Sequence, residues 1–219
     1  MREGGYDLGL AFDGDADRCL AADERGALID GDQIMAVCGL ALKREQRLPG
    51  DTVVATVMSN LGLHVFAREH GMTLVCTDVG DRNVLERMKL EGFSLGGEQS
   101  GHMIFSAYST TGDGQLTALQ LMRVLRQSGL RASELADCCK RFPQVLVNIP
   151  VADGAAKEAV MTSPLLWQAV ASEEGALGDG RILVRPSGTE ALIRVMVEAA
   201  EIQQAGDCAR RLADLVKKL

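Results

Sequence analysis

No run of apolar residues in this chain is long enough to cross a bilayer. The longest, Ile34 to Leu42 ("IMAVCGLAL"), is broken by Gly39 and falls far short of the roughly 20 residues a spanning helix needs. The opening "MREGGYD" holds no apolar core, so no secretory signal is expected and a cytoplasmic location is. A basic excess is also missing: 23 Lys and Arg face 30 Asp and Glu, a formal net charge of −7. Sequence-independent nucleic-acid binding needs a basic footprint, so neither nucleic acid nor membrane is expected as a partner. Cys19, Cys38, Cys76, Cys138, Cys139 and Cys208 form no C-x-x-C pair and no regular framework. That pattern favours free thiols over disulfides or zinc. With His64, His70 and His102 scattered too, a Cys/His metal site is not expected.

What is present suits a soluble globular protein: 219 residues, 47% hydrophobic and 24% charged, enough for one or two domains with a real core. Tyr6–Phe12 reads as a short strand, and "CLAAD" and "ALID" flank a hairpin turn at Glu24-Arg25-Gly26. Apolar spacing predicts a helix over Asp32–Arg44, ending before Pro49. Thr52–Met58 and "TLVCTDV" are strand-like, each followed by a helix, the first capped by Ser59 or Asn60. The alternation predicts an α/β domain with Tyr6–Phe12 as its first strand. A helix over Gln115–Gln127 is expected to bury Leu116, Leu119, Met122 and Leu125.

Between Cys139 and Phe142 the character changes to strand, helix, two strands and helix, a small α+β domain. Its closing helix carries a stripe of Leu212, Leu215, Val216 and Leu219, and Trp167 is expected to anchor its core. His64 and His70 read as surface or packing residues.

Three stretches carry chemistry. "FDGDADR" places Asp13, Asp15 and Asp17 at alternate positions, which in an extended segment point the same way. Such oxygens suit a hard cation such as Mg²⁺. A solvated turn is the bland alternative, since Asp and Gly are common turn residues. An EF-hand would also use Glu24, but Arg18 stands where its turn needs Gly. A haloacid-dehalogenase-type phosphatase, with Asp13 as nucleophile, fits the local pattern. The absence of Thr or Val at position 17 counts against it.

"RPSGTEALIRV" gathers Arg185, Ser187, Thr189 and the unhindered backbone of Gly188, with Arg194 in the next strand. Forked guanidinium, hydroxyls and consecutive N–H groups make a phosphate site; a polar hairpin turn is the alternative. "GGEQSGH" is expected to leave Glu98, Gln99, Ser100 and His102 exposed on a flexible turn, where Glu and Ser suit the vicinal hydroxyls of a sugar.

Together, in this order, the three resemble the α-D-phosphohexomutase superfamily. "DGDADR" resembles its magnesium loop, "GEQSGH" its sugar-recognition loop and "RPSGTE" its phosphate-binding loop. "TVMSNLGL", "VGDRNVLERM", "TTGDG" and "FPQVLVN" are similar to its bacterial glucosamine-phosphate branch, as is Gln99, where many phosphomannomutases have Met. The resemblance implies an α/β/α phosphohexomutase domain followed by a small α+β C-terminal domain. Residues 1–26 would be the tail of domain 2 with the magnesium loop, 27–140 domain 3 and 141–219 domain 4.

The implied activity is interconversion of glucosamine 6-phosphate and glucosamine 1-phosphate through a bisphosphate and an enzyme phosphoserine. Phosphomannomutase or phosphoglucomutase activity is the alternative within the superfamily. Asp13, Asp15 and Asp17 would hold Mg²⁺, Arg18 would steady the phosphoserine and His102 would take part in proton transfer. Glu98 and Ser100 would grip sugar hydroxyls, and Arg185, Ser187, Gly188, Thr189 and Arg194 the phosphate that does not react. A phosphorylated amino sugar is the expected ligand. The Ser-His-Asn-Pro-type loop of the superfamily does not occur here, so the chain is expected to need the N-terminal domains of the same enzyme as a partner and to be inactive alone. Tyr6–Phe12 is then expected to be parted from its sheet. Two departures are Ala16, often a second Gly, and Ala191, often Pro.

Overall fold

The structure, a computed structural model, describes residue 1 and residues 3–219, in two compact units, Met1–Arg141 and Phe142–Leu219. Unit 1 opens with three antiparallel strands in the order β1 (Leu8–Phe12), β2 (Cys19–Asp23), β3 (Leu28–Ile29). Leu8–Phe12 is therefore paired with β2 rather than a lone strand, and it is not the first strand of the α/β layer. Its register with β2 runs from Leu8 opposite Asp23 to Phe12 opposite Cys19. The β2–β3 pairing also spans residue 26. Asp23 fixes the turn between them, its Oδ1 accepting from the backbones of Arg25 (2.9 Å) and Ala27 (2.7 Å).

The central sheet has the order β5 (Thr73–Thr77), β4 (Thr52–Thr56), β6 (Leu95–Gly97), β7 (Met103–Phe105). β4 is parallel to β5 and β6, and β7 runs antiparallel to β6. Every residue of β4 is buried, because both faces of the sheet are covered. Alternation assigns the faces. Val53 and Ala55 join the core of α1 (Gly31–Arg44), α2 (Leu61–Glu69) and α4 (Gly114–Ser128), whereas Val54 meets Val84 and Met88 of α3 (Asp81–Glu91). This is the expected α/β/α layering. Asp30 caps α1, Asn60 caps α2 and Asp113 caps α4, each accepting from a backbone N–H. A short α5 (Ala132–Ala136) closes the unit.

Unit 2 is a three-stranded antiparallel sheet, β8 (Gln144–Pro150), β10 (Leu192–Glu198), β9 (Arg181–Pro186), in that spatial order. With it come helices α6 (Gly154–Thr162), α7 (Pro164–Leu177) and α8 (Ile202–Val216). Ile193, Val195 and Val197 of the middle strand are fully buried and share a core with Ala205, Cys208, Ala209 and Leu212 of α8.

Several expected core residues lie elsewhere. Leu119 (59% exposed) and Met122 (39%) face outward on α4, where Ala118, Leu121 and Val124 are buried instead. Trp167 is 43% exposed and donates its indole N–H to the Met161 carbonyl (2.7 Å), while Leu166 and Val170 anchor α7. Leu219 lies beyond α8 and is 40% exposed. No cysteine forms a disulfide among the described residues, and none of their helices is long and apolar enough to cross a membrane.

Candidate functional site

Asp13, Asp15 and Asp17 occupy the loop joining β1 to β2, so the carboxylates sit at the tip of a paired hairpin. Each offers one ligand atom, and these atoms lie within 4.8 Å of one another. That spacing of hard oxygen donors fits a divalent cation such as Mg²⁺. Burial and then the Asp15 charge hold the Asp17 carboxyl above its ordinary range, outweighing the opposing pull of His102 and Arg18. Arg18 folds back on the loop, its backbone N–H donating to Asp13 Oδ1 (3.2 Å) and its guanidinium 3.7 Å from Asp13 Oδ2.

The "GGEQSGH" stretch is the tight connection of the β6–β7 hairpin, not a flexible exposed turn. Glu98 N donates to His102 O and Gly101 N to Glu98 O, both at 3.0 Å. His102 is buried, 3% exposed, contrary to the expectation from sequence. Its Nε2 lies 3.5 Å from Asp17 Oδ2 and 3.9 Å from Asp81 Oδ2. Its Nδ1 has no hydrogen-bond partner among the described residues. Gln99 is half-buried, and Ser100 remains exposed.

The acidic loop and this hairpin are locked together by backbone. Arg18 and His102 form a bridge, Cys19 N donates to Gly101 O (3.1 Å) and Gly114 N to Ala16 O (2.9 Å). Gly101 is required twice over, by its φ of +95° and because a Cβ there would lie 2.4 Å from Cys19 O. Beside the hairpin lies an open cleft of about 410 Å³. Arg18, Glu98, Gln99 and Ser100 line it, as do Met58 and Arg141, which sequence reasoning missed. Arg141 pairs with buried Asp30 at 3.1 Å, a contact across the whole unit that no local pattern signals.

In unit 2 the "RPSGTE" stretch caps the β9–β10 hairpin. Arg185 and Arg194 stand directly opposite in the register, two like charges side by side. Burial, and then Arg194, pull the proton affinity of Arg185 down. Arg194 Nη2 reaches Glu190 Oε2 (3.0 Å) and Ser187 Oγ (3.5 Å), while its Nε is buried without a partner among the described residues. Ser187 is buried, and Gly188 and Thr189 are exposed. Lys157 of α6, thirty residues upstream of the loop and invisible to motif reasoning, donates to the carbonyls of Ser187 (2.9 Å) and Glu190 (3.1 Å). This arrangement of donors suits an oxyanion.

Residues 30–142 match the phosphoglucomutase/phosphomannomutase alpha/beta/alpha domain III, and residues 146–215 the phosphoglucomutase/phosphomannomutase C-terminal domain. The chain is 58% identical over 196 residues to the phosphoglucosamine mutase of Desulforudis audaxviator, covering 89% of this chain and 43% of that protein. It is 57% identical over 215 residues to the phosphoglucosamine mutase of Rhodococcus jostii, covering 98% and 48%. The chain thus spans about half the length of the curated relatives it matches.

Among solved structures, an N-acetylphosphoglucosamine mutase of Aspergillus fumigatus superposes with a TM-score of 0.82 at 25% identity, covering 95% of this chain and 48% of that one. Another, in complex with GlcNAc-6P and magnesium, gives 0.78 at 25%, covering 95% and 52%. With family domains matched over most of its length, this chain belongs to the phosphoglucomutase/phosphomannomutase family, the α-D-phosphohexomutases.

Proposed function

We propose that these 219 residues are the C-terminal half of a phosphoglucosamine mutase, which interconverts glucosamine 6-phosphate and glucosamine 1-phosphate. Residues 1–26 would close the preceding domain, and 27–140 and 141–219 would form domains 3 and 4. The observation that carries the reading is the docking of the Asp13–Asp15–Asp17 hairpin onto the Glu98–His102 hairpin, with His102 buried between Asp17 and Asp81. The relatives' names support the amino sugar. Membership of the family sets the phosphatase reading aside.

Asp13, Asp15 and Asp17 would hold Mg²⁺, which when bound supplies positive charge against phosphoryl oxygens. Arg18, tethered to Asp13, adds donors for the oxygens of a phosphoserine carried by the N-terminal domains. The bond from phosphorus to the serine oxygen breaks as one forms to a substrate hydroxyl, whose proton passes to a base; His102 is this chain's candidate. The bisphosphate so formed returns its other phosphoryl group to the serine. Glu98 and Ser100 hold sugar hydroxyls. Arg185, Ser187, Gly188, Thr189 and Arg194 hold the phosphate that is not transferred.

The chain alone should bind glucosamine 6-phosphate in Mg²⁺ but release no glucosamine 1-phosphate in a coupled assay. Calorimetry should show binding weakened about tenfold or more by Arg185→Ala and by Glu98→Ala, since each removes a charged hydrogen-bonding partner. Turnover by the chain alone, lost in Asp13→Ala, would refute the division of labour. Tighter binding of mannose 6-phosphate would move the substrate to the phosphomannomutase branch.

A further inference from the structure

Asp32 lies in the first turn of α1, is 2% exposed, and belongs to none of the three motifs. Its Oδ2 accepts from the backbone N–H of Asn60 (2.7 Å), at the β4–α2 turn, and from the side-chain amide of Gln99 (3.0 Å), in the β6–β7 hairpin. Beside it Gly31 N donates to Gln99 O (3.0 Å), and a Cβ on Gly31 would lie 2.1 Å from Glu98 O. The hairpin thus rests on the N-terminus of α1 with no space between. We propose that Asp32 is a positioning residue: its carboxylate ties Gln99 and the β4–α2 turn into one frame that presents Glu98 and Ser100. This rests on the reading of that hairpin as the sugar-recognition loop.

A buried carboxylate is a costly tie. Burial pushes the Asp32 carboxyl up to about 6, despite the hydrogen bonds from Asn60, Ser59 and Gln99, and the neighbouring Asp30 charge adds to the rise. The titratable and charged groups facing it are Asp30, itself paired with Arg141, and the buried Cys139 thiol. Neither Asp30 nor Cys139 offers a countercharge. An apolar or neutral residue would be the stable choice here, so the charge contributes something other than stability. At Oδ2 it accepts charge-assisted hydrogen bonds from Asn60 and Gln99, which are roughly twice as strong as neutral ones. Oδ1 has no hydrogen-bond partner among the described residues and is where a proton would sit. Protonation removes the burial cost while Oδ2 still accepts from both donors, so a carboxyl whose proton affinity is raised in the closed hairpin favours that hairpin more as pH falls through about 6.

Hydrogen exchange of the Gly31 and Gly101 amides in the full chain without ligand, corrected for intrinsic rates, reads this directly. Wild type should gain protection between pH 8 and pH 5, by up to about tenfold, as the buried carboxylate takes up its proton. Asp32→Leu, which removes the acceptor, should fall below wild type and lose the pH response, and Gln99→Leu, which keeps the carboxylate but removes its loop donor, should lose protection at both pH values. Wild-type protection that is flat with pH or falls toward pH 5, or an Asp32→Leu protein matching wild type at pH 5, overturns the proposal. Glucosamine 6-phosphate titrated in parallel separates the two claims. A hairpin that responds as described while the wild type binds no sugar phosphate supports the tie and refutes the sugar-loop reading.

Discussion

Ala16 and Gly101 both adopt the left-handed backbone region, at φ 59° and 95°, yet the chain treats them differently. Gly101 has Cys19 O pressed against it and tolerates no side chain. Ala16 carries one, and for an L-residue that conformation costs about 1–2 kcal/mol. Ala16 is therefore a point of strain held at the tip of the aspartate loop, where its N–H donates to Asp13 O at 3.2 Å. Ala16→Gly relieves it but adds about 0.5–1 kcal/mol of unfolded-chain entropy. The net expectation is a stabilisation of up to about 1 kcal/mol, read as a higher urea midpoint at unchanged m-value. A lower midpoint would mean that the alanine methyl makes contacts worth more than the strain.

At the scale of elements, α6 is placed to govern a loop it does not belong to. Lys157 fixes two carbonyls of the Ser187–Glu190 turn, and Arg194 is held nearby by Glu190. Lys157→Met keeps the aliphatic stem and removes both bonds. Affinity for inorganic phosphate should fall by roughly tenfold, in line with losing hydrogen bonds from a charged donor. Lys217→Met, on the far end of α8, should change it little; equal losses from both would reduce the effect to net charge.

The elements themselves were largely legible in sequence wherever periodicity and caps agree, as in α1, whose Asp30 side chain and Gln33 form a capping box. The short strands Leu95–Gly97 and Met103–Phe105 were not, because two of the six residues are glycines and the pairing partner lies across a turn. The α4 stripe failed for a geometric reason. Leu116, Leu119, Met122 and Leu125 are spaced by threes, and each such step falls about 60° short of a full turn. The series therefore walks around the helix, and its middle members leave the core. Of the site, the charged motifs were readable. The burial of His102, the Asp32 tie and the Lys157 brace were not, because each depends on chain segments far apart in sequence.

At the scale of the whole molecule, the apolar cores follow the division into units. Among the described residues, the core of Phe142–Leu219 runs from Val145 to Val216, and those of Met1–Arg141 from Leu8 to Cys139. Unit 2 also completes its own sheet, with both β8 and β9 paired to β10. A domain of this size buries a limited core and is only modestly stable, yet one with its own three-stranded sheet and an amphipathic helix packed upon it meets the conditions for folding alone. Residues 142–219, produced separately, should therefore unfold in urea as one cooperative transition followed by circular dichroism. The opposed Arg185 and Arg194 add a second, independent signature. An anion that binds only the folded form raises its stability by mass action, so inorganic phosphate at about a hundred times its dissociation constant should add close to 3 kcal/mol. Arg185→Ala should cut that increment to about half or less at the same phosphate concentration while leaving the phosphate-free midpoint nearly unchanged, because Arg185 is half-buried and its like-charged neighbour opposes it. A broad, non-cooperative melt of the isolated unit would show that its core needs Met1–Arg141. A cooperative melt indifferent to phosphate would instead remove the anion from the β9–β10 turn.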